Sequence, residues 1–240
     1  MMTGPPRPEG YVAVMTRPSS RSGRGRRSGS PTLRTERRLL RSGAVRLGAM
    51  DEVGRGSPAG PVMVGLVVLD DRVGRPPAGV RDSKLLTAAA RERLVPEIEA
   101  WATACAVGSA SPGEVDAFGV TGALGLAGRR AIGLLAEPPD VLLLDGNHDW
   151  LSGGASVAGG WDAPEVVTCV RADRTCTSAA AASILAKVAR DALMVALAAD
   201  HPGYGWESNK GYGTEAHLAA IRRLGTTAHH RLTWRLPGSG

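Results

Sequence analysis

Val62 to Leu69 reads Val-Met-Val-Gly-Leu-Val-Val-Leu, an apolar run rich in β-branched residues and bounded by Pro61 and Asp70. A strand with no polar residue on either face is buried on both, and that is the requirement an α/β layered domain meets. Just before it, Asp51-Glu52-Val53-Gly54-Arg55-Gly56-Ser57-Pro58-Ala59-Gly60-Pro61 carries two adjacent carboxylates into a loop of glycines, prolines and one arginine. A tight loop that exposes its backbone and opens on two acids suits a divalent cation on one side and a phosphate or sugar on the other.

The rest of the chain fits around that unit. Thr35 to Leu40 reads as a short helical turn and Val45 to Val53 as a first strand. The Gly/Pro loop then reverses the chain into the second strand in a hairpin-like manner. Thr87 to Ala100 reads as a helix with Thr87 as N-cap, Trp101 to Ser109 as a third strand, and Pro112 to Ala136 as a short helical turn followed by a longer helix. Pro138-Pro139 stop that helix ahead of a short buried strand at Val141 to Leu144, and a last strand runs from Val166 to Val170. Ser178 to Ala199, with Thr177 or Ser178 as a cap, and Thr214 to Leu224, ended by Gly225, read as helices. Strands first, then helices and strands mixed, predict one α/β domain with a mixed sheet and a helical C-terminal region.

Charge divides the chain. Residues 1–46 hold eleven arginines against Glu9 and Glu36, a balance of +9, so the remaining residues carry −3 of the total of +6. A basic leader over 1–34, dense in Pro, Gly, Ser and Arg, is expected to be disordered. It is either a polyanion-binding arm or a solvated bystander. The body is expected to span 35–240. No apolar run approaches the ~18 residues of a membrane span, and no apolar segment of signal-peptide type opens the chain. Cys105, Cys169 and Cys176 have no metal-ligand spacing and are expected as free thiols of a cytoplasmic protein.

Asp145 ends an apolar strand and runs into Gly146-Asn147, and Asp173 lies just past the Val166–Val170 strand. With Asp51 and Glu52, four acids fall at predicted strand ends, where open α/β sheets place their sites. Acids so placed repel one another unless a cation or a shared proton neutralises them. Oxygen donors without His or Cys at coordinating spacing favour Mg²⁺ or Mn²⁺ over Zn²⁺. Taken singly, each of these acids reads as readily as a turn former or cap. Adjacent strand residues also point to opposite faces, so Asp51 and Glu52 do not both face one site unless the loop breaks the alternation or the longer glutamate curls round.

Several blocks in one order carry a resemblance. They are Asp51-Glu52-Val53-Gly54-Arg55-Gly56 with Ala59-Gly60-Pro61-Val62, Asp82-Ser83-Lys84-Leu85, the weaker Glu114-Val115-Asp116, and Asp145-Gly146-Asn147. Ala172-Asp173, Ala181 through Asp191, Asn209-Lys210-Gly211-Tyr212-Gly213-Thr214, His217 and His230-Arg231 follow. In these blocks the chain resembles ribonuclease HII, the type 2 ribonuclease H, from about Thr35 to its end. The resemblance implies an RNase H-like fold and metal-dependent cleavage of RNA in RNA–DNA hybrids, including incision 5′ of single ribonucleotides in duplex DNA. It places Asp51, Glu52, Asp145 and Asp173 on the family's catalytic, metal-binding acids. Gly54, Arg55 and Gly56 fall on the segment that addresses the ribose 2′-hydroxyl, and Tyr212 on the tyrosine at the RNA–DNA junction. A monomer acting on hybrid and ribonucleotide-containing duplex is expected. The alternatives are an RNase H-fold nuclease of other hybrid selectivity and a catalytically silent nucleic-acid-binding protein.

Lys84, Lys187 and Arg190 are candidate phosphate contacts, although Lys187 and Asp191 lie one helical turn apart and equally suit an ion pair. Tyr212 suits stacking under a sugar or base, or a partly buried core position. His217, His229 and His230 lack ligand spacing and read as structural.

Overall fold

The computed structural model describes residues 30–153 and 164–237. The Trp150–Pro164 excursion falls largely outside these residues, as does most of the basic leader. At the leader's end Thr32 bridges to Cys176 and Leu33 is buried, so both belong to the folded body.

Helix α1 (Arg34–Arg41) leads into β1 (Leu47–Val53) and β2 (Val62–Leu69). A 3₁₀ turn (Ser83–Leu85), α2 (Ala88–Trp101), β3 (Ala104–Ala110) and α3 (Pro112–Gly133) follow. Then come β4 (Val141–Asp145), β5 (Glu165–Cys169), α4 (Ala172–Thr175), α5 (Thr177–Asp200), α6 (Trp206–Asn209) and α7 (Glu215–Leu224). The sheet order is β3-β2-β1-β4-β5, with β1, β2 and β3 antiparallel to their neighbours in turn and β1, β4 and β5 parallel. This is the mixed α/β sheet flanked by helices expected from the sequence.

β2 is buried along its whole length. Val62, Val64, Leu66 and Val68 face a core shared with α3, while Val67 and Leu69 face α2 and α5. Two glycines let the layers approach. A Cβ on Gly65 would lie 2.1 Å from the Ala182 carbonyl of α5, and one on Gly108 2.0 Å from the Ala127 carbonyl of α3. The alanine-rich face of α5 therefore seats directly against the strand backbone.

Helix ends account for the differences from the sequence reading. Thr87 caps α2 as expected, its hydroxyl accepting from the Ala90 amide at 3.2 Å. α2 runs on through Trp101, so β3 starts at Ala104 rather than at the tryptophan. The expected short turn followed by a longer helix at Pro112 is present, the two parts meeting at a kink at Gly119, whose φ of 68° and ψ of 168° are not helical. Its start is a capping box between Ser111 and Glu114, and Arg130 pairs with the same glutamate at 2.7 Å. α5 is not capped by the side chain of Thr177 or Ser178. The buried Glu36 carboxylate, from α1, accepts from the Ser178 amide at 2.9 Å and its hydroxyl at 2.8 Å. That acid at a helix N-terminus fixes α1 to the start of α5.

Candidate active site

The parallel register of β1 on β4 runs from Leu47 opposite Val141 to Met50 opposite Leu144. One step further along the same register stand Asp51 and Asp145. Leu47, Ala49, Val141 and Leu143 share the core beneath Ala179 of α5, so by the two-residue period Asp51 and Asp145 point to that same face. Asp51 is also paired with Gly65, whose backbone lies directly against Ala182 of α5. Glu52 pairs with Val64, and β1 continues regularly to Val53. Of the two routes expected for Glu52, a break in the alternation is not seen, so its Cβ starts on the opposite face. The longer side chain is left to curl round the strand end toward Asp51 and Asp145, whose charges it feels. β4 has ended its pairing with β1 by this point, and Glu52 and Asp145 still act on each other electrostatically.

Asp173 arrives through Asp145. The Asp145 carboxylate accepts a 2.6 Å hydrogen bond from the Ala172 amide, tying β4 to the helical turn α4 that carries Asp173. Lys84 is placed by its own turn: Asp82 accepts from the Lys84 amide at 3.0 Å, and the Ser83 and Ser183 hydroxyls are 2.7 Å apart, stitching that turn to α5. The Lys84 ammonium then lies 3.6 Å from Asp173. Burial works against its charge, but the combined field of Asp51, Asp82, Asp173 and Asp145 holds the ammonium above its ordinary value.

The acids feel one another. Burial pushes the Asp51 carboxyl up to about 8, with Glu52 and Asp145 adding repulsion against partial relief from Ser183 and Lys84. Burial likewise raises Glu52, and it raises Asp173 together with the charges of Asp145 and Asp82. Asp51 Oδ1 accepts from the Glu52 amide at 2.9 Å, while its Oδ2 is buried with no hydrogen-bond partner among the described residues. Among those residues no three Asp, Glu, His or Cys side chains converge closely enough to hold a metal ion as they stand. The group is an open set of strand-end carboxylates, and an orphaned buried carboxylate oxygen amid like charges fits a hard divalent cation.

The loop after Glu52 is held from behind by two buried arginines. Arg190 of α5 donates to the carbonyls of Pro61 (2.9 Å), Ala59 (2.9 Å) and Lys210 (2.9 Å) and to the Ser57 hydroxyl (2.8 Å). Arg231 donates to the carbonyl of Arg55 at 2.7 Å and to that of Gly54. Gly54 has a φ of +83°, and a Cβ there would lie 2.3 Å from Arg190 Nε. A Cβ on Gly56 would meet nothing within 4 Å, so that residue opens outward, while Arg55 reaches Glu52 at 3.7 Å.

Arg190, expected at a phosphate, is thus corrected to a loop anchor: it is fully buried and its guanidinium is satisfied by backbone carbonyls and the Ser57 hydroxyl. Lys187 takes the ion pair, 2.7 Å from Asp191, which also meets Arg91 at 3.4 Å. Both cations flank Tyr212, each 5.1 Å from the ring centroid. His217 fixes the same stretch, bridging the Tyr212 carbonyl (2.9 Å) and the Trp206 indole N–H (3.0 Å), so it is structural as expected. Sequence reasoning assigns no site role to Asp82, Ser183 or Arg231. A lone serine in the alanine run of α5 is the available sign for Ser183; nothing local marks Arg231 as buried.

A family model described as Ribonuclease HII matches residues 47–236. A protein named Ribonuclease HII from Streptomyces coelicolor is 46% identical over 206 residues, covering 85% of this chain and 84% of that protein. One of the same name from Nitrosococcus oceani is 46% identical over 194 residues, covering 79% and 89%. Among solved structures, the ribonuclease H2 from Pyrococcus horikoshii aligns with a TM-score of 0.61 at 23% identity, over 80% of this chain and 94% of that one. Bst-RNase HIII in complex with Mn²⁺ aligns at 0.63 and 24%, over 83% and 69%. Both likenesses concern the fold.

Proposed function

The chain belongs to the ribonuclease HII family, a family of metal-dependent endoribonucleases, and we propose that it both cuts RNA in RNA–DNA hybrids and incises duplex DNA 5′ of a single ribonucleotide. The products carry 3′-hydroxyl and 5′-phosphate ends, and the enzyme acts as a monomer with Mg²⁺ or Mn²⁺. The observation that carries this reading is the side-by-side placement of Asp51 and Asp145, with the unpartnered Asp51 Oδ2 between charged neighbours. Asp51, Glu52, Asp145 and Asp173 would hold the cations. Bound there, two such ions would supply the Lewis acidity that phosphodiester hydrolysis needs.

The chain's own residues do the rest. Lys84, set at the rim by Asp82 and half-engaged with Asp173, offers its ammonium to a backbone phosphate. Gly54, Arg55 and Gly56 form the wall that meets the sugar. The carbonyls of Gly54 and Arg55 are drawn inward by Arg231, and Gly56 leaves room for a ribose edge to approach the backbone. A 2′-hydroxyl both donates and accepts, which is the property that lets backbone groups tell ribose from deoxyribose. Tyr212, steadied by Lys187 and Arg190, offers a ring on which the sugar next to the junction can rest.

Incubating the full chain with duplex DNA holding one ribonucleotide, with Mg²⁺ or with Mn²⁺, tests the reading. A nick on the 5′ side of the ribonucleotide is expected. Cutting confined to hybrids with several ribonucleotides would replace single-ribonucleotide incision by ordinary hybrid cleavage, and no cutting of either substrate would remove the enzymatic reading.

A further inference from the structure

Asp116 lies near the start of α3, before the break at Gly119, and takes no part in the acidic site described above. Its carboxylate is nonetheless fully engaged. Oδ2 accepts from the Leu232 amide at 2.7 Å, and Oδ1 accepts from the Thr233 amide at 3.1 Å and the Thr233 hydroxyl at 2.6 Å. One acid thus holds three donors of a C-terminal turn that is more than a hundred residues distant in sequence.

The residue just before that turn is Arg231. Its guanidinium is fully buried with no carboxylate salt bridge among the described residues, and its charge is dispersed onto the carbonyls of Gly54, Arg55 and Gly60. Its own amide donates to the Pro58 carbonyl at 2.9 Å, and its guanidinium stacks 4.6 Å from the Trp234 ring. Burial and the like charge of Arg190 push Arg231 down to about 10, and Asp116 is the acid whose field offsets this. The path from α3 to the sugar-reading loop is continuous: Asp116, the Leu232–Thr233 backbone, Arg231, then the carbonyls of Gly54 and Arg55.

We propose that Asp116 is a positioning residue for ribose discrimination, acting through the Leu232–Thr233 turn and Arg231 to fix Gly54-Arg55-Gly56 in the orientation that reads a 2′-hydroxyl. The inference rests on the functional reading above. A carbonyl held by Arg231 cannot rotate without turning the adjoining peptide N–H, so the reach of the loop amides depends on where Arg231 is held. When a duplex carries one ribonucleotide, the loop has one hydroxyl to find in one register. When the strand is RNA throughout, neighbouring registers are equivalent and a loosened loop still meets a hydroxyl. Loss of Asp116 therefore costs selectivity more than chemistry.

The test compares kcat/KM of the full chain on a single-ribonucleotide duplex and on a long RNA–DNA hybrid, with Mn²⁺ affinity measured alongside. Asp116→Ala is expected to lower the first by about tenfold or more and the second by less than about threefold, with Mn²⁺ affinity unchanged. Asp116→Asn keeps one accepting oxygen and should fall between wild type and alanine. Thr233→Val removes the 2.6 Å hydroxyl bond alone and should shift the ratio in the same direction by less, which keeps the test alive if the alanine variant does not fold. Equal losses on both substrates, in Asp116→Asn and Thr233→Val alike, would reduce Asp116 to a structural tie. A wild-type chain that leaves the single-ribonucleotide duplex intact would instead remove the functional reading itself.

Discussion

Asp51 and Asp145 stand one residue beyond the last paired step of two parallel strands, Met50 opposite Leu144, and face the same side of the sheet. Neighbouring strands are about 4.8 Å apart, so two carboxylates at matching positions are forced into each other's field. That enforced proximity, with Glu52 adjacent, adds repulsion to the burial that holds the Asp51 carboxyl high.

In the proposed reading Asp145 has two duties, holding a cation and accepting from the Ala172 amide, and one substitution separates them. Asn at this position keeps an oxygen for the Ala172 amide, and so keeps α4 and Asp173 in place, but removes the charge. Asp145→Asn is expected to lower kcat by more than about 100-fold while leaving duplex affinity near wild type, measured by single-turnover cleavage and by binding in Ca²⁺. Near-normal cleavage would take Asp145 out of the metal set.

Arg190 is a structural anchor, so its replacement should be read in stability before activity. Arg190→Lys cannot span four acceptors with one ammonium, and it strands buried carbonyls of Pro61 and Ala59. We expect a loss of about 3 kcal/mol or more in denaturant unfolding, little better than Arg190→Ala. A lysine variant of wild-type stability with weakened duplex binding would return Arg190 to the phosphate.

His230 gives the fold an acid limit. Burial, reinforced by His217 and its other histidine neighbours, pushes its imidazole down to about 4, below an unfolded value near 6.5. A depressed histidine is neutral in the native state and charges on unfolding, so its stabilising contribution is complete above pH 6.5. That contribution is lost as pH falls from about 6.5 to about 4, by roughly 2 kcal/mol once partial screening by solvent is allowed for. Thermal melts across this window should show the decline, and His230→Gln should flatten it; an unchanged slope would assign acid sensitivity to other groups.

Local pattern made much of the protein legible. The apolar run Val62–Leu69 announced a strand buried on both faces, Thr87 announced its cap, and acids at strand ends announced the cluster of Asp51, Glu52 and Asp145. Each of these signals is carried by near neighbours in the chain, because strand period, helix capping and turn chemistry act over a few residues. The strand boundary at Trp101 slipped because an alternating pattern and a helix end share the same residues.

What sequence alone determined, then, is which elements form and which residue types stand at their ends. Tertiary structure decided which of those residues gather at the acidic cluster and which brace the frame. Arg190 reads in sequence as a phosphate contact and Arg231 carries no local sign of burial, and only the packing of α5 and the C-terminal turn behind residues 54–61 buries them against backbone carbonyls. Glu36, Asp82 and Asp116 likewise take their partners from segments distant in the chain. A charged group's role is set by what surrounds it on all sides, and those surroundings exist only once the chain has folded.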